Sequence, residues 1–377
     1  MIYLDYNATT PIDKSVADVM LPYIQTNFGN PSSSHEYGIK AKKAVETARE
    51  QVANLLGVKP FEILFTSGGS ESNNTVIKGV AHSFRSKGNH IITSQIEHPA
   101  VLNPCQFLEK NGYEITYIPV DRYGSVLPSD IEKAITSKTI LVTIMHANNE
   151  TGTIQPISNI SIICRKKGVL FHTDAAQSVG KIPSRVDELG VDFLSIAGHK
   201  LYAPKGIGAL YIRDGIAIEP LIHGAGHENG RRAGTENVIF DVGLGHACLL
   251  AQTLLHDNTV RDLTNRFYRE LQTLFGNRIR LNGHPENRLP NTLYISFLGY
   301  SSDAVHKALA HVAISTGSAC HSGATTISPV LKAMGLAPEE VGTVIRFSLG
   351  RLTTQNEIDV VLDNLADLIN ESNDYSI

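Results

Sequence analysis

Between about residues 40 and 212, short apolar runs alternate with longer stretches of helical spacing. "EILFTSGG" (62–69) reads as a strand entering a glycine turn, and "SESNNTVIKGVAHSFR" (70–85) as the helix that follows. "HIITS" (90–94) reads as the next strand. "PAVLNPCQFLEKNG" (99–112) reads as a helix that opens on a first-turn proline and ends at a glycine. "EITYIPV", "TILVTIM", "VLFHT", "DFLSI" and "GALYI" continue the strand series, with helical or loop segments between most of them. This alternation predicts a mainly parallel sheet with helices on both faces. After about residue 256 the pattern changes. "NRFYRELQTLFG" is amphipathic, "IRLNG" and "TLYISFLG" are strand-like, "SDAVHKALAHV" is helical, and Pro329 starts a further helix. The predicted division is a large α/β domain over 13–256 and a smaller α/β domain made of 1–12 with 257–377.

Composition narrows the class. The 377 residues carry a net charge of −4, 42% are hydrophobic, and the 19% that are charged are dispersed in both signs. No basic block is present, which argues against a dedicated nucleic-acid surface. The four cysteines, Cys105, Cys164, Cys248 and Cys320, form no CxxC pair and no zinc spacing, so a reducing compartment is expected. The opening "MIYLDYNATTP" lacks the basic flank and apolar run of a signal peptide, and no segment approaches the roughly 18 apolar residues of a membrane span. The expectation is a soluble, cytoplasmic protein with no membrane partner.

Ligands of an open parallel sheet collect beyond the carboxyl ends of its strands, so the residues just past each strand carry the chemistry. "EILFT" leads to Ser67-Gly-Gly-Ser70 at a helix start, where backbone N–H groups suit a phosphate. "HIITS" leads to Glu97 and His98, and "TILVTIM" to His146 and Asn149. "VLFHT" leads to Asp174 and Gln177, and "DFLSI" to His199 and Lys200. Singly, each has a plain structural explanation: a cap, a solvated turn carboxylate, a surface lysine. Together they match the needs of pyridoxal 5′-phosphate: a lysine for the Schiff base, a carboxylate for the pyridine nitrogen and a phosphate site. His223 and His227, in "HGAGH", have no carboxylate pattern nearby and read as structural rather than metal-binding. No metal site is expected.

"TSGGSESNN", "EHPAV", "MHANNETG", "HTDAAQSVGK", "GHKLYAPKGIGALYIR", "HGAGHENGRRAGTENV", "STGSACHSG" and "IRFSLGR" resemble, in order, the cysteine desulfurases, pyridoxal-phosphate enzymes of the class-V aminotransferase type. The resemblance runs from "YLDYNATTP" to "IRFSLGR". It implies the fold-type-I architecture of pyridoxal-phosphate-dependent transferases. Lys200 would bind the cofactor covalently and move the substrate α-proton. Asp174 would pair with the pyridine nitrogen, Gln177 with the phenolic oxygen, and His98 would stack on the ring and act catalytically as a proton shuttle. Gly69, Ser70 and His199 would hold the phosphate, completed by Thr235 from the other subunit of a homodimer. Asn149 and Arg346 would bind the carboxylate of the substrate, L-cysteine. Cys320 would take the sulfur as a persulfide, leaving L-alanine, and pass it to an acceptor protein.

Two departures bear on that acceptor. His321 follows the cysteine, giving "ACHSG", and the chain ends in polar "NESNDYSI". "ACHSG" is similar also to selenocysteine lyases and to the desulfurases of DNA phosphorothioation. The expected destination is therefore iron–sulfur cluster assembly or thio-modification. Selenocysteine lyase and a plain aminotransferase of the same fold stand as alternatives, and the latter leaves Cys320 without a role.

Overall fold

The computed structural model describes residues 1–316, 328–337 and 341–374. Thirteen strands are present among them. The first is β1 (Ile2–Tyr3), followed by the seven that form the central sheet: β2 (Ile63–Thr66), β3 (His90–Ser94), β4 (Glu114–Ile118), β5 (Thr139–Thr143), β6 (Leu170–Asp174), β7 (Phe193–Ala197) and β8 (Gly208–Ile212). Their order is β2-β8-β7-β6-β5-β3-β4. All neighbours are parallel except β8, which runs antiparallel to both β2 and β7. "GALYI" is thus a strand, as expected, inserted against the direction of the rest.

Six of the seven strands are buried along most or all of their length, which is why they read as continuous apolar runs rather than alternating ones. One face carries Val45, Val52, Ile160, Leu244 and Ala251 from the helices Glu36–Leu56, Ile157–Lys167 and Val238–Leu254. The other face carries Val76, Ile77, Val101 and Leu108 from the helices Gly69–Ser83 and Pro99–Glu109. The helices Glu36–Leu56 and Val238–Leu254 approach so closely that a Cβ on Gly245 would lie 2.5 Å from the Cα of Ala48. An alanine there would force the two helices apart.

The later strands are β9 (Ile279–Leu281), β10 (Thr292–Phe297), β11 (Val312–Ala313), β12 (Ser315–Thr316) and β13 (Thr343–Ser348). Four of them form an antiparallel sheet in the order β12-β13-β10-β9. Its core packs Phe267, Phe275, Phe297 and Phe347 edge to face, with ring centres 5.2–5.3 Å apart, beneath the helices Thr259–Phe275 and Gln355–Asp374. The "SDAVHKALAHV" segment is helical only over Ser302–Ala308. Its end turns into β11, because Val312 and Ala313 pair in parallel with Ile2 and Tyr3 of β1. The first residues of the chain therefore join the late sheet: Leu4 lies in the same apolar core, and Asp5 bridges to Ser348. Among the described residues no single helix is long and apolar enough to cross a membrane.

Candidate active site

A cavity of about 400 Å³ opens where the carboxyl ends of β2, β3, β5, β6 and β7 face the second sheet. Gly69, Ser70, His98, Asp174 and Gln177 line it from the central sheet, with Asn149, His199 and Lys200 beside them. Arg346, from β13, closes it from the other side. Nine positions predicted from strand ends and motifs are thus brought together. Thr235 is not: it lines a separate cavity with Ser67, Glu228 and Asp241. Cys320 and His321 lie outside the described residues.

The carboxylate is held rigidly. Asp174 Oδ1 accepts from the Ala176 N–H at 2.9 Å, and Oδ2 accepts from Asn73 Nδ2 at 2.7 Å. Neighbouring Glu97 is fully buried; burial pushes its pKa up to about 8, although Ser94 Oγ and the Met145 N–H both donate to Oε1. His98 caps the helix Pro99–Glu109, its Nδ1 accepting from the Ala100 N–H at 3.1 Å, which fixes the ring over the cavity. Burial, reinforced by Lys200 and opposed by Asp174, lowers its pKa.

Lys200 follows β7 in a single turn of 3₁₀ helix and reaches back to the N-terminal segment. Its Nζ donates to the main-chain oxygens of Asn7 at 2.5 Å and Ala8 at 2.6 Å. Burial first, then Arg346, brings its pKa down to about 8, with Asp5 and Asp174 pulling the other way. That shift supplies a neutral amine under mild conditions, the form that attacks a carbonyl. His199, held neutral by burial and by Lys200 with its pKa down at about 4, places Nδ1 3.2 Å from Thr9 Oγ1.

The opposite wall is built around a guanidinium. Arg346 Nη2 donates to Asp5 Oδ1 at 2.8 Å and to Ser315 Oγ at 2.7 Å, while Nη1 donates to the Asn149 main-chain oxygen at 2.9 Å. Its buried Nε has no partner among the described residues.

The cavity fits pyridoxal phosphate on its own terms. Small residues Ala147, Ala176 and Ala197 line the cavity together with His98 and Asp174, which leaves room for a flat ring. The helix Gly69–Ser83 starts without a side-chain cap, behind Gly68 at φ 147°, so its first N–H groups are open to an anion. A Cβ on Gly69 would sit 3.3 Å from the Ala197 Cβ, crowding that space. Asn73, Asn7 and Asp5 do not directly follow a strand of the central sheet and are not among the expected site residues. Asn73 stands inside the quoted "TSGGSESNN", and the other two inside "YLDYNATTP", where their partners are remote in sequence.

A lysine poised near neutrality, a buried carboxylate and an uncapped helix start around one slot define a pyridoxal-phosphate enzyme of the α/β transferase type. The chain matches the aminotransferase class-V family over residues 2–361 and belongs to it. It is 51% identical over 373 residues to the cysteine desulfurase IscS of Dictyoglomus turgidum, covering 98% of this chain and 94% of that one. The solved structure of a NifS-like protein superposes with a TM-score of 0.91 at 39% identity, covering 98% of this chain and 99% of its own. The structure of SspA in complex with cysteine superposes at 0.84 with 40% identity, over 93% and 99%.

Proposed function

We propose that this enzyme is a cysteine desulfurase that converts L-cysteine to L-alanine and holds the sulfur as a persulfide on Cys320 for transfer to an acceptor protein. The observation that carries the reading is the convergence of Lys200, Asp174 and His98 in one cavity whose far wall presents Arg346. The full-length likeness to cysteine desulfurases and to a cysteine-bound structure supports the same substrate.

Bound pyridoxal phosphate supplies an electron sink that labilises bonds at the α- and β-carbons of an amino acid. The residues do the rest. Arg346 and Asn149 hold the substrate carboxylate, for which a guanidinium is suited. Asp174, fixed by Asn73 and Ala176, keeps a proton on the pyridine nitrogen. Lys200 Nζ moves the proton at the substrate Cα. The Cys320 thiolate attacks the substrate sulfur; the Cβ–S bond breaks, its electron pair stays with carbon, and Cβ takes a proton. Carbon is reduced, sulfur is oxidised to the sulfane level, and no external oxidant is required.

The other thiols are unsuited to this task. Cys105, Cys164 and Cys248 are buried and unpaired, and burial pushes each pKa up to about 12. Cys320 stands five residues past Ser315, which is hydrogen-bonded to Arg346, and eight before Ser328, which donates to Glu150 beside Asn149. The chain on both sides of it is thus tied to the cavity rim. We further propose a homodimer in which Thr235 of a second copy completes the phosphate site, since within one chain Thr235 faces another cavity. The three unpaired cysteines support a reducing, cytoplasmic setting.

The test is alanine formed from L-cysteine with a thiol reductant, by the wild type and by Cys320→Ser. Alanine from the wild type alone supports the assignment. No alanine from cofactor-loaded wild type contradicts it and favours selenocysteine as substrate.

A further inference from the structure

Lys181 stands behind Gln177 and Asn7, which line the active-site cavity, and among the described residues no carboxylate pairs with it. Its Nζ donates to two amide oxygens, Gln177 Oε1 at 3.0 Å and Asn7 Oδ1 at 3.2 Å. Burial, then the charges of Lys200 and Arg346, bring its pKa down to about 7. An ammonium held at such cost, four residues after a residue of the cofactor site, calls for a reason beyond packing.

The reason lies in which hydrogen-bonding groups each side chain owns. In its charged form Lys181 can only donate, and the atom of Gln177 that faces it, at 3.0 Å, is the oxygen. The Gln177 NH2 is thereby turned the other way, where one hydrogen goes to the Asn7 main-chain oxygen at 2.9 Å and the other is left for the cavity that Gln177 lines. The same logic sets Asn7. With Oδ1 committed to Lys181 and to Asn291 Nδ2 at 3.1 Å, its Nδ2 donates to Thr292 Oγ1 at 2.8 Å and to the Asn149 oxygen at 3.3 Å. The Asn7 main-chain oxygen that takes Gln177 also takes Lys200 Nζ. One ammonium therefore orients both amides that meet at the cofactor-bearing lysine.

We propose that Lys181 is a positioning residue for the cofactor: by donating to Gln177 and Asn7 it fixes the Gln177 NH2 toward the phenolic oxygen of bound pyridoxal phosphate and so lowers the proton affinity of the cofactor–Lys200 linkage. The proposal rests on the cofactor site assigned above. The charged groups facing this cluster are Lys200 and Arg346, which repel the Lys181 charge, and Asp5 and Asp174, which attract Lys200. Loss of the donor to the phenolic oxygen and loss of the Lys181 charge act in the same direction. Each makes the linkage hold its proton to higher pH.

The experiment is a pH titration of the visible absorption of the cofactor-loaded enzyme without substrate, for wild type, Lys181→Met, Lys181→Arg, Gln177→Ala and the Lys181→Met/Gln177→Ala pair. The midpoint is expected to rise by at least about one pH unit in Lys181→Met. Lys181→Arg, which keeps charge and donors, should restore most of it, and the double variant should shift by less than the sum of the two. An unchanged midpoint in folded, loaded Lys181→Met overturns the proposal, and so does full additivity with Gln177→Ala. A purely structural role, filling the seam toward the small cavity lined by Tyr202 and Arg351, would lower thermal stability and leave the midpoint in place. If Lys181→Met does not fold, Lys181→Leu, which likewise has no donor for Gln177 or Asn7, takes its place: a raised midpoint supports the proposal and an unchanged one overturns it. A wild type with no cofactor absorption would instead overturn the site assignment itself.

Discussion

The two walls of the cavity are built on different plans. The cofactor wall takes its side chains from the strand ends of one sheet, and Lys200 and Gln177 reach from there to the main-chain oxygen of Asn7. The substrate wall is assembled across the chain. Arg346 is tied to Asp5, 341 residues away, and Asn7 is tied to Asn291, 284 residues away. The first wall sets the electronics of a fixed ring. The second joins the N-terminal segment and the late sheet to the first, and it borders the chain that leads to Cys320. Chemistry that must stay fixed is placed on strand ends, and recognition of substrate is placed where two sheets meet.

The sharpest cut through this comparison is Lys200→Ala. Turnover should fall on the order of 10⁴-fold or more, and the covalently held cofactor absorption should disappear. Normal turnover would end the cofactor-wall account. Asp174→Asn should retain the cofactor and lose about 10²–10³-fold in kcat, measured at saturating cysteine. Full activity would show that the carboxylate held by Asn73 does not serve the ring. Arg346→Ala belongs to the other wall. It should raise KM by about 10–100-fold through loss of a charge-assisted pair, with the cofactor still covalently bound. Arg346→Lys should recover little of this, because the fork of contacts to Asp5, Ser315 and Asn149 needs a guanidinium. Loss of the bound cofactor with unchanged KM would merge the two walls into one.

The smallest expected effect concerns stability. Glu97 binds its proton up to about pH 8 in the folded chain, against an ordinary value of 4.5. Between those values the native state carries more protons than the unfolded one, so this group's contribution to stability falls as pH rises through the window. Glu97→Gln should flatten that decline in denaturant unfolding curves taken from pH 5 to pH 8. An identical slope in both proteins would mean that Glu97 is ionised when folded.

These differences also explain what could be read from the chain. The strands of the central sheet are unbroken apolar runs, and the residue after each run is the one that lines the cavity, so Asp174, His98 and Lys200 were legible by position. Thr235 and Cys320 were assigned only through resemblance, because nothing in their local spacing points to the cavity; Thr235 lines another cavity and Cys320 lies outside the described residues. Asn73 was hidden for a different reason: it never titrates, and its importance appears only once its amide is seen on Asp174. The pairing of β1 with β11 was unreadable, because two-residue strands leave no period, and it is this pairing that brings Asp5 and Asn7 to the site. The reversal of β8 likewise had no sequence mark, since an antiparallel strand buried on both faces is as apolar as a parallel one.

The central claim is that sulfur leaves the substrate for Cys320. It is tested most directly by the intact and peptide masses of the enzyme after L-cysteine is added without reductant. The account predicts one added sulfur on the peptide that contains Cys320, removed by a thiol, and absent in Lys200→Ala. Alanine formed with no sulfur on that peptide, or with sulfur on Cys105, Cys164 or Cys248 instead, would contradict it.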